Sequence, residues 1–255
     1  MTGTIDIVGG PVSAIDMPTA IDRLAGWVGK PQSQYVCVAD VHSIMLTRTN
    51  PLHMASMRGA AMVTPDGMPL VWTGRALGHK SMARVCGPDL LSEVCAASQS
   101  RGWRHYFYGG AEGVVDQLQA ALKARYPNLD VVGTYAPPFR PLTDAEDAEV
   151  VRKILDAKTD ILWVGLGCPK QEKWMADHVA RLPGVTLIGI GAAFDFHTGR
   201  VERAPLWMQK NGLEWLHRLA SEPKRLWRRY LVLAPRFAVL AGYQVLKRRL
   251  TPGGA

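Results

Sequence analysis

Ile161-Leu-Trp-Val-Gly-Leu-Gly-Cys-Pro-Lys-Gln-Glu-Lys-Trp174 holds a strand, a turn and the start of a helix in fourteen residues. Its first four residues are bulky, apolar and partly β-branched, the pattern of a strand buried on both faces. Gly165-x-Gly167 then lets the backbone turn sharply. Pro169 falls near the first turn of the next helix, where its missing N–H leaves no bond unmade. Such a helix N-terminus offers free N–H groups and a positive dipole end to an anion, with Lys170 and Gln171 beside it. A phosphate or uracil site fits this arrangement, and so does plain strand–helix packing.

The same unit recurs along the chain. Tyr35 to Ala39, His105 to Tyr108, Val131 to Tyr135 and Thr186 to Ile190 are further short apolar runs, with helical stretches between them. Ile21, Leu24 and Val28 keep one face of the first helix, and residues 112–124 form another. Thr143-Asp-Ala-Glu146 has capping-box spacing before a helix ending near Asp156. Strand and helix alternating in steps of about thirty residues predict right-handed βαβ units. The expected class is therefore α/β: a Rossmann-like, mainly parallel sheet flanked by helices, with a basic helical C-terminal appendage. Ligands of such sheets sit outside the strand carboxyl ends. Here those ends are Asp40-Val-His42, Gly109-Gly110, Pro137-Pro138, the Gly165–Lys170 loop and the Gly191–Asp195 segment.

At 255 residues and 47% hydrophobic the chain can bury a full core and is not disordered. Its charge is uneven. Residues 200–255 hold twelve Lys/Arg against Glu202, Glu214 and Glu222, a net +9, so the first 199 residues sum to −1. Charge confined to one end points to an anionic partner: nucleic acid, an anionic membrane surface or a pyrophosphate-bearing ligand. The expected division is an α/β body over 1–200 and a membrane-associating helical appendage over 201–255, broken at Pro205, Pro223 and Pro235. If Pro235 only kinks the helix, Leu226, Tyr230, Leu233, Phe237 and Leu240 share one face, with arginines on its flank. The alternative is a helix that packs this stripe on the body. The apolar run Leu231–Leu246 is sixteen residues long and carries Pro235, Arg236 and Gln244, whereas a spanning helix needs about 20 apolar residues. No signal peptide is evident, and the four cysteines fit no metal spacing, which together suggest a cytosolic, reduced setting. Nucleic acid is disfavoured, because the tail's aromatics sit among aliphatic rather than polar residues.

Thr64-Pro-Asp-Gly67 is a turn signal whose Asp66 is well placed for a general base, although a turn aspartate often binds only backbone. In Arg84-Val-Cys-Gly-Pro-Asp89, Asp89 is a candidate N-cap, and Arg84 can pair with a carboxylate or a phosphate. No dinucleotide fingerprint, Walker loop or Asp-x-Asp metal pair occurs. Asp195-Phe-His197 is the one notable pairing, and His42 and His197 fit hydrogen bonding better than metal binding.

These stretches, in this order, resemble the WecG/TagA/CpsF glycosyltransferases (glycosyltransferase family 26). The resemblance is carried by ADVHSIM from Ala39, TPDGMPLVW from Thr64, RVCGPDLL from Arg84 and GLGCPKQEKW from Gly165. It continues through GAAFDFHTG from Gly191, RAPLWMQKNGLEWLHRL from Arg203 and EPKRLWRRYL from Glu222. It implies an inverting, metal-independent and cofactor-free transfer of a hexose or N-acetylhexosamine-type sugar from a UDP-sugar. The implied acceptor is a polyprenyl-diphosphate-linked sugar at the inner membrane face. The VHSIM and DGMPLVW variants look more like exopolysaccharide members than teichoic-acid ones. By the resemblance Asp66 is the base, Arg84 stabilises diphosphate charge and Gln171 is a polar site residue. Arg218, Arg225 and Arg228 occupy positions from which the appendage supplies arginines. Asp40, His42, Gly67, Gly167, Lys170 and Asp195 complete the expected substrate-binding set.

The chain departs from the family where a strand often ends Thr-x-Asn. It has Val38-Ala39-Asp40, so Asp40 can orient a sugar hydroxyl or compete with Asp66 as base. A non-catalytic nucleotide- or lipid-binding partner of a polysaccharide assembly complex is the alternative function. A homo-oligomer is also open, because an exposed apolar tail can bury itself on a neighbour.

Overall fold

The computed structural model describes residues 3–191 and 193–251, and only the backbone of Lys210. Ala192 of the Gly191–Asp195 segment lies outside the described residues. The strands are β1 (Thr4–Ile7), β2 (Gly10–Ser13), β3 (Gln34–Ala39), β4 (Met62–Pro65), β5 (Arg104–Gly109), β6 (Asp130–Tyr135), β7 (Ile161–Gly165) and β8 (Thr186–Gly189). β3 to β8 form one all-parallel sheet in the order β4-β3-β8-β7-β5-β6, while β1 and β2 pair as an antiparallel hairpin. The α/β Rossmann-like expectation holds, and all five expected strands are present.

Alternation along each strand splits the core between the two faces of the sheet. Val36, Phe107, Ile161, Trp163 and Ile188 point into one apolar cluster. Cys37, Tyr106, Tyr108, Leu162, Val164 and Leu187 point into the other. The buried Trp163 indole donates to His105 Nδ1 at 2.9 Å, so its one polar atom is satisfied. Where β5 and β7 end side by side, a Cβ on Gly109 would lie 2.6 Å from the Gly165 backbone, and Gly109 has φ +123°. Only glycine permits that approach.

Two expectations from the sequence shift. The helix expected over 112–124 begins at Val114, because Gly113 turns left-handed before it. Asp89 is not an N-cap: Pro88 sits in the first turn of the helix Gly87–Ser98, whose N-cap is Cys86. Pro169 is the N-cap of the helix Lys170–His178, next to its first turn as expected. The capping box at Thr143 and Glu146 is formed as expected.

Beyond Arg200 come the helices Leu206–Lys210, Glu214–Ser221 and Pro223–Trp227. A wide π-turn over Arg228–Leu233 then leads directly into the helix Ala234–Leu250. Pro235 does not break the helix, since it falls in the first turn after the wide π-turn, where its missing N–H and its ring are both accommodated. The stripe read as interfacial faces the body: Leu226 and Phe237 are buried, and Tyr230, Leu233 and Leu240 are partly buried. Gln244 on the last helix accepts from Val8 N and donates to Asp6 O, both at 2.8 Å. That contact holds the hairpin turn in which Val8 has φ +54°, a costly value for a β-branched residue.

Candidate active site

Parallel strands place their carboxyl ends along one edge, and the appendage folds across that edge. The result is a cavity of about 1480 Å³, with a second of about 200 Å³ beside it. Asp40, His42, Asp66, Gly167, Lys170, Gln171, Asp195, Arg218, Arg225 and Arg228 all line the larger one. Gly67 and Arg84 line the smaller. Seven residues are common to both walls: Asp40, His42, Asp66, Pro88, Phe196, Arg218 and Arg229.

Asp66 directly follows β4, and its N–H extends the ladder to Ala39 O at 2.8 Å. Arg84 Nε donates to the Asp66 carbonyl at 2.6 Å, and Arg84 Nη2 lies 3.4 Å from Asp66 Oδ1. The same Nη2 lies only 2.7 Å from Glu214 Oε2. Burial raises the Asp66 carboxyl above the usual aspartate range, Arg84 opposes the rise, and Glu214 adds to it. A carboxylate with raised proton affinity at a cavity wall suits proton abstraction.

Asp40 is placed differently. Its Oδ1 accepts from Ser43 N at 2.9 Å, capping the helix Val41–Thr47. Its Oδ2 is ion-paired with Arg229 of the appendage. With both oxygens engaged, it is less available than Asp66 to receive a proton. His42 stands in both walls, its Nδ1 has no partner, and burial lowers its proton affinity.

Gly167 has φ +77°, and its N–H donates to Gln171 Oε1 at 3.2 Å. Gln171 Nε2 donates to Glu172 Oε1 at 3.0 Å. The Gln171 amide thus spends its bonds holding the turn that follows β7, although the residue still borders the cavity. Lys170 is exposed at the helix start, and Asp195 sits on the short helix Ala193–His197. His197 bonds to the Pro88 carbonyl at 3.0 Å. Arg218 lies over the Phe196 ring at 5.2 Å, and its Nε is buried without a partner. Arg225 pairs with Glu222 at 2.8 Å, and Arg228 lies over Trp227.

Three residues of this site are missing from the sequence-level set. They are Glu214, Arg229 and Arg203, the last bonding Asp89 at 2.5 Å and standing 3.6 Å from Glu214. A signal for the first was present, since Glu214 is one of only three carboxylates in the basic tail. Among the described residues, one group of metal-type donors converges: His53, Cys168 and Glu172, with ligand atoms within 4.8 Å of one another. His53 Nε2 already contacts the hydroxyl and carbonyl of Ser43 at 3.1 Å.

The model of the "Glycosyl transferase WecG/TagA/CpsF family" matches residues 5–251. The chain belongs to this glycosyltransferase family. It is 32% identical over 178 residues to the N-acetylglucosaminyldiphosphoundecaprenol N-acetyl-beta-D-mannosaminyltransferase of Bacillus subtilis strain 168, covering 69% of this chain and 66% of that one. It is 24% identical over 229 residues to the protein of the same name from Staphylococcus aureus strain MW2, covering 89% and 88%. The matched region thus spans just under two thirds of the Bacillus relative and most of the Staphylococcus one. No helix among the described residues is long and apolar enough to cross a membrane.

Proposed function

We propose that this protein transfers a hexose or N-acetylhexosamine-type sugar from a UDP-sugar to a polyprenyl-diphosphate-linked sugar, with inversion and without a metal. The observation that carries this reading is the position of Asp66 in the wall common to two unlike cavities. The larger exceeds the roughly 300–1,000 Å³ usual for small-molecule sites and is lined by strand ends and arginines, which suits a nucleotide sugar. The smaller is walled by Met68, Pro69, Trp215, Tyr230 and Ala234, with Arg84, Arg218 and Arg229 also lining it. Arg84 and Arg229 suit an acceptor's diphosphate, and the apolar wall suits its first isoprene units. Single displacement needs a base between acceptor and donor. The Asp66 carboxylate takes the acceptor hydroxyl's proton, the oxygen attacks the anomeric carbon, and UDP leaves with the bonding electron pair.

Arg218, Arg225 and Arg228 meet the developing charge on UDP in this reading. The relatives' names supply the first candidates, N-acetylmannosamine as the sugar and N-acetylglucosaminyl-diphosphoundecaprenol as the acceptor. UDP-glucose and the uronate of UDP-N-acetylmannosamine complete the panel, and exopolysaccharide or another cell-surface polysaccharide is the proposed product. The residues after 200 act as a membrane-associating appendage at the inner face. Trp227, Leu231, Val239, Tyr243, Leu246 and Leu250 are exposed and recur at helical spacing, with Arg236, Lys247 and Arg249 also exposed on that segment.

The test is UDP release from that panel with a short polyprenyl-diphosphate-N-acetylglucosamine acceptor in EDTA. Acceptor-dependent release from one donor is expected. UDP binding without turnover on any donor would favour a non-catalytic role, and absence of UDP binding would overturn the reading.

A further inference from the structure

We infer that Glu214 is a positioning residue that keeps the Arg84 guanidinium turned away from the Asp66 carboxylate, so that Asp66 stays free to accept the acceptor's proton. The inference rests on the assignment of Asp66 as base. Its geometry is a fork. Arg84 is fixed at one corner by Nε, 2.6 Å from the Asp66 main-chain oxygen. The remaining Nη2 has two carboxylates within reach and sits closer to Glu214, at 2.7 Å, than to Asp66, at 3.4 Å. Hydrogen-bond geometry makes the first a full charge-assisted bond and the second a marginal one.

Glu214 is itself held. It is the first residue of the helix Glu214–Ser221, where a carboxylate is favoured by the helix dipole. Its side chain is 13% exposed, and Arg203 approaches its Oε1 at 3.6 Å from the other side. Arg203 is in turn anchored on Asp89, whose other oxygen accepts from the Cys86 thiol at 2.9 Å. The appendage thus brings a fixed negative charge to the back of Arg84.

Without that charge, the guanidinium's nearest carboxylate partner is Asp66. An aspartate paired with arginine is a weaker base, since the pair favours its charged form. Besides Arg84 and Glu214, the charged or titratable groups that line the smaller cavity with Asp66 are Arg218, Arg229, Asp40, His42 and Tyr230. Asp40 and Arg229 pair with each other, and Arg218 lowers the Asp66 proton affinity. Glu214 is the carboxylate that acts in the opposite sense.

The test compares the pH dependence of kcat/KM in wild type, Glu214→Gln and Glu214→Asp. Glutamine keeps an oxygen for Arg84 and loses the charge. The expected result is a tenfold or greater fall in kcat with little change in donor KM, and an acid limb displaced to lower pH. Glu214→Asp retains the charge and restores the limb part of the way. An acid limb that stays in place, or moves to higher pH, overturns the inference even if kcat falls. If Glu214→Gln does not fold, as judged by calorimetric UDP binding, Glu214→Asp decides alone: a displaced limb supports the inference and an unmoved one overturns it. Asp66→Asn separates this from the underlying assignment, because retained turnover there sinks Asp66 as base whatever the Glu214 variants do.

Discussion

Phe237→Ala tests whether the appendage completes the site or merely rests on it. Phe237 is 2% exposed on the helix Ala234–Leu250, which packs against the helices Met68–Ala76 and Val41–Thr47. Removing a buried phenylalanine costs about 3–5 kcal/mol. Little of that falls on the sheet, because Phe237 stands on a terminal element one layer away from the strands. The polar anchors from Gln244 to Asp6 and Val8 remain, at about 1 kcal/mol each. At about 1.4 kcal/mol per factor of ten, the docked appendage should lose about two to three and a half orders of magnitude in its equilibrium. Arg218, Arg228 and Arg229 leave the cavity with it. Hydrogen exchange measured residue by residue should show residues 214–250 exchanging faster while β3, β5, β7 and β8 keep their protection. Acceptor-dependent UDP release should fall at least tenfold in the same preparation. Equal acceleration in strands and appendage would show one cooperative unit and refute the separable-appendage reasoning. Unchanged turnover with a loosened appendage would refute its part in catalysis.

Two further substitutions address the carboxylates. Asp66→Asn cannot take a proton, so kcat should fall about 10²–10⁴-fold with UDP affinity and circular dichroism retained. The same variant should be more stable at neutral pH. A carboxyl whose proton affinity is raised by burial favours the folded state below its usual value of 3.8, and that contribution is lost as pH rises through the elevated value. The Asn variant should therefore melt above wild type at pH 7–8, the gap closing near pH 3. A gap that does not change with pH would contradict this. Asp40→Asn keeps a good N-cap for the helix Val41–Thr47 but loses the charge opposite Arg229. The cap is kept, since Asn and Asp cap about equally well, so the loss of stability should be that of one partly covered ion pair, about 1 kcal/mol. Acceptor KM should rise. An unaltered KM would mean that Arg229 is held by packing alone.

Much of the fold was legible because parallel strands buried on both faces are continuous apolar runs. Where the local signal was weak, elements were missed. β4 is four residues long and ends in Pro65, which disguised it as part of a turn; proline is tolerated because β4 is an edge strand. The β1–β2 hairpin turns at Val8-Gly9, and a left-handed valine is not a turn residue that sequence rules anticipate. The stripe from Leu226 to Leu240 was read correctly as one face, but periodicity does not say what covers a face. The site divides the same way. Asp66, Asp40 and Gly167 follow strands whose ends topology must bring together. Glu214, Arg203 and Arg229 meet their partners across 130, 114 and 189 residues of sequence, and no local pattern encodes such pairings.

The basic tail consequently carries two populations of charge, which salt should separate. Arg203 and Arg229 pair with the body carboxylates Asp89 and Asp40, and Glu214 binds Arg84, all through side chains that are partly or largely covered. Arg236, Lys247 and Arg249 are exposed beside the outward apolar residues. Screening reaches exposed charges first: the Debye length shrinks from about 30 Å at 0.01 M salt to about 3 Å at 1 M, while covered pairs are screened much less. Binding to vesicles containing phosphatidylglycerol should therefore weaken steeply between about 0.05 and 0.5 M salt. Over the same range, protection of residues 214–250 from hydrogen exchange should stay constant. Protection lost in step with vesicle release would mean that the inward arginines are held no more firmly than the outward ones. The appendage would then be a single electrostatic layer that binds either the body or the membrane, and the cavity it closes in solution would stand open at the lipid surface.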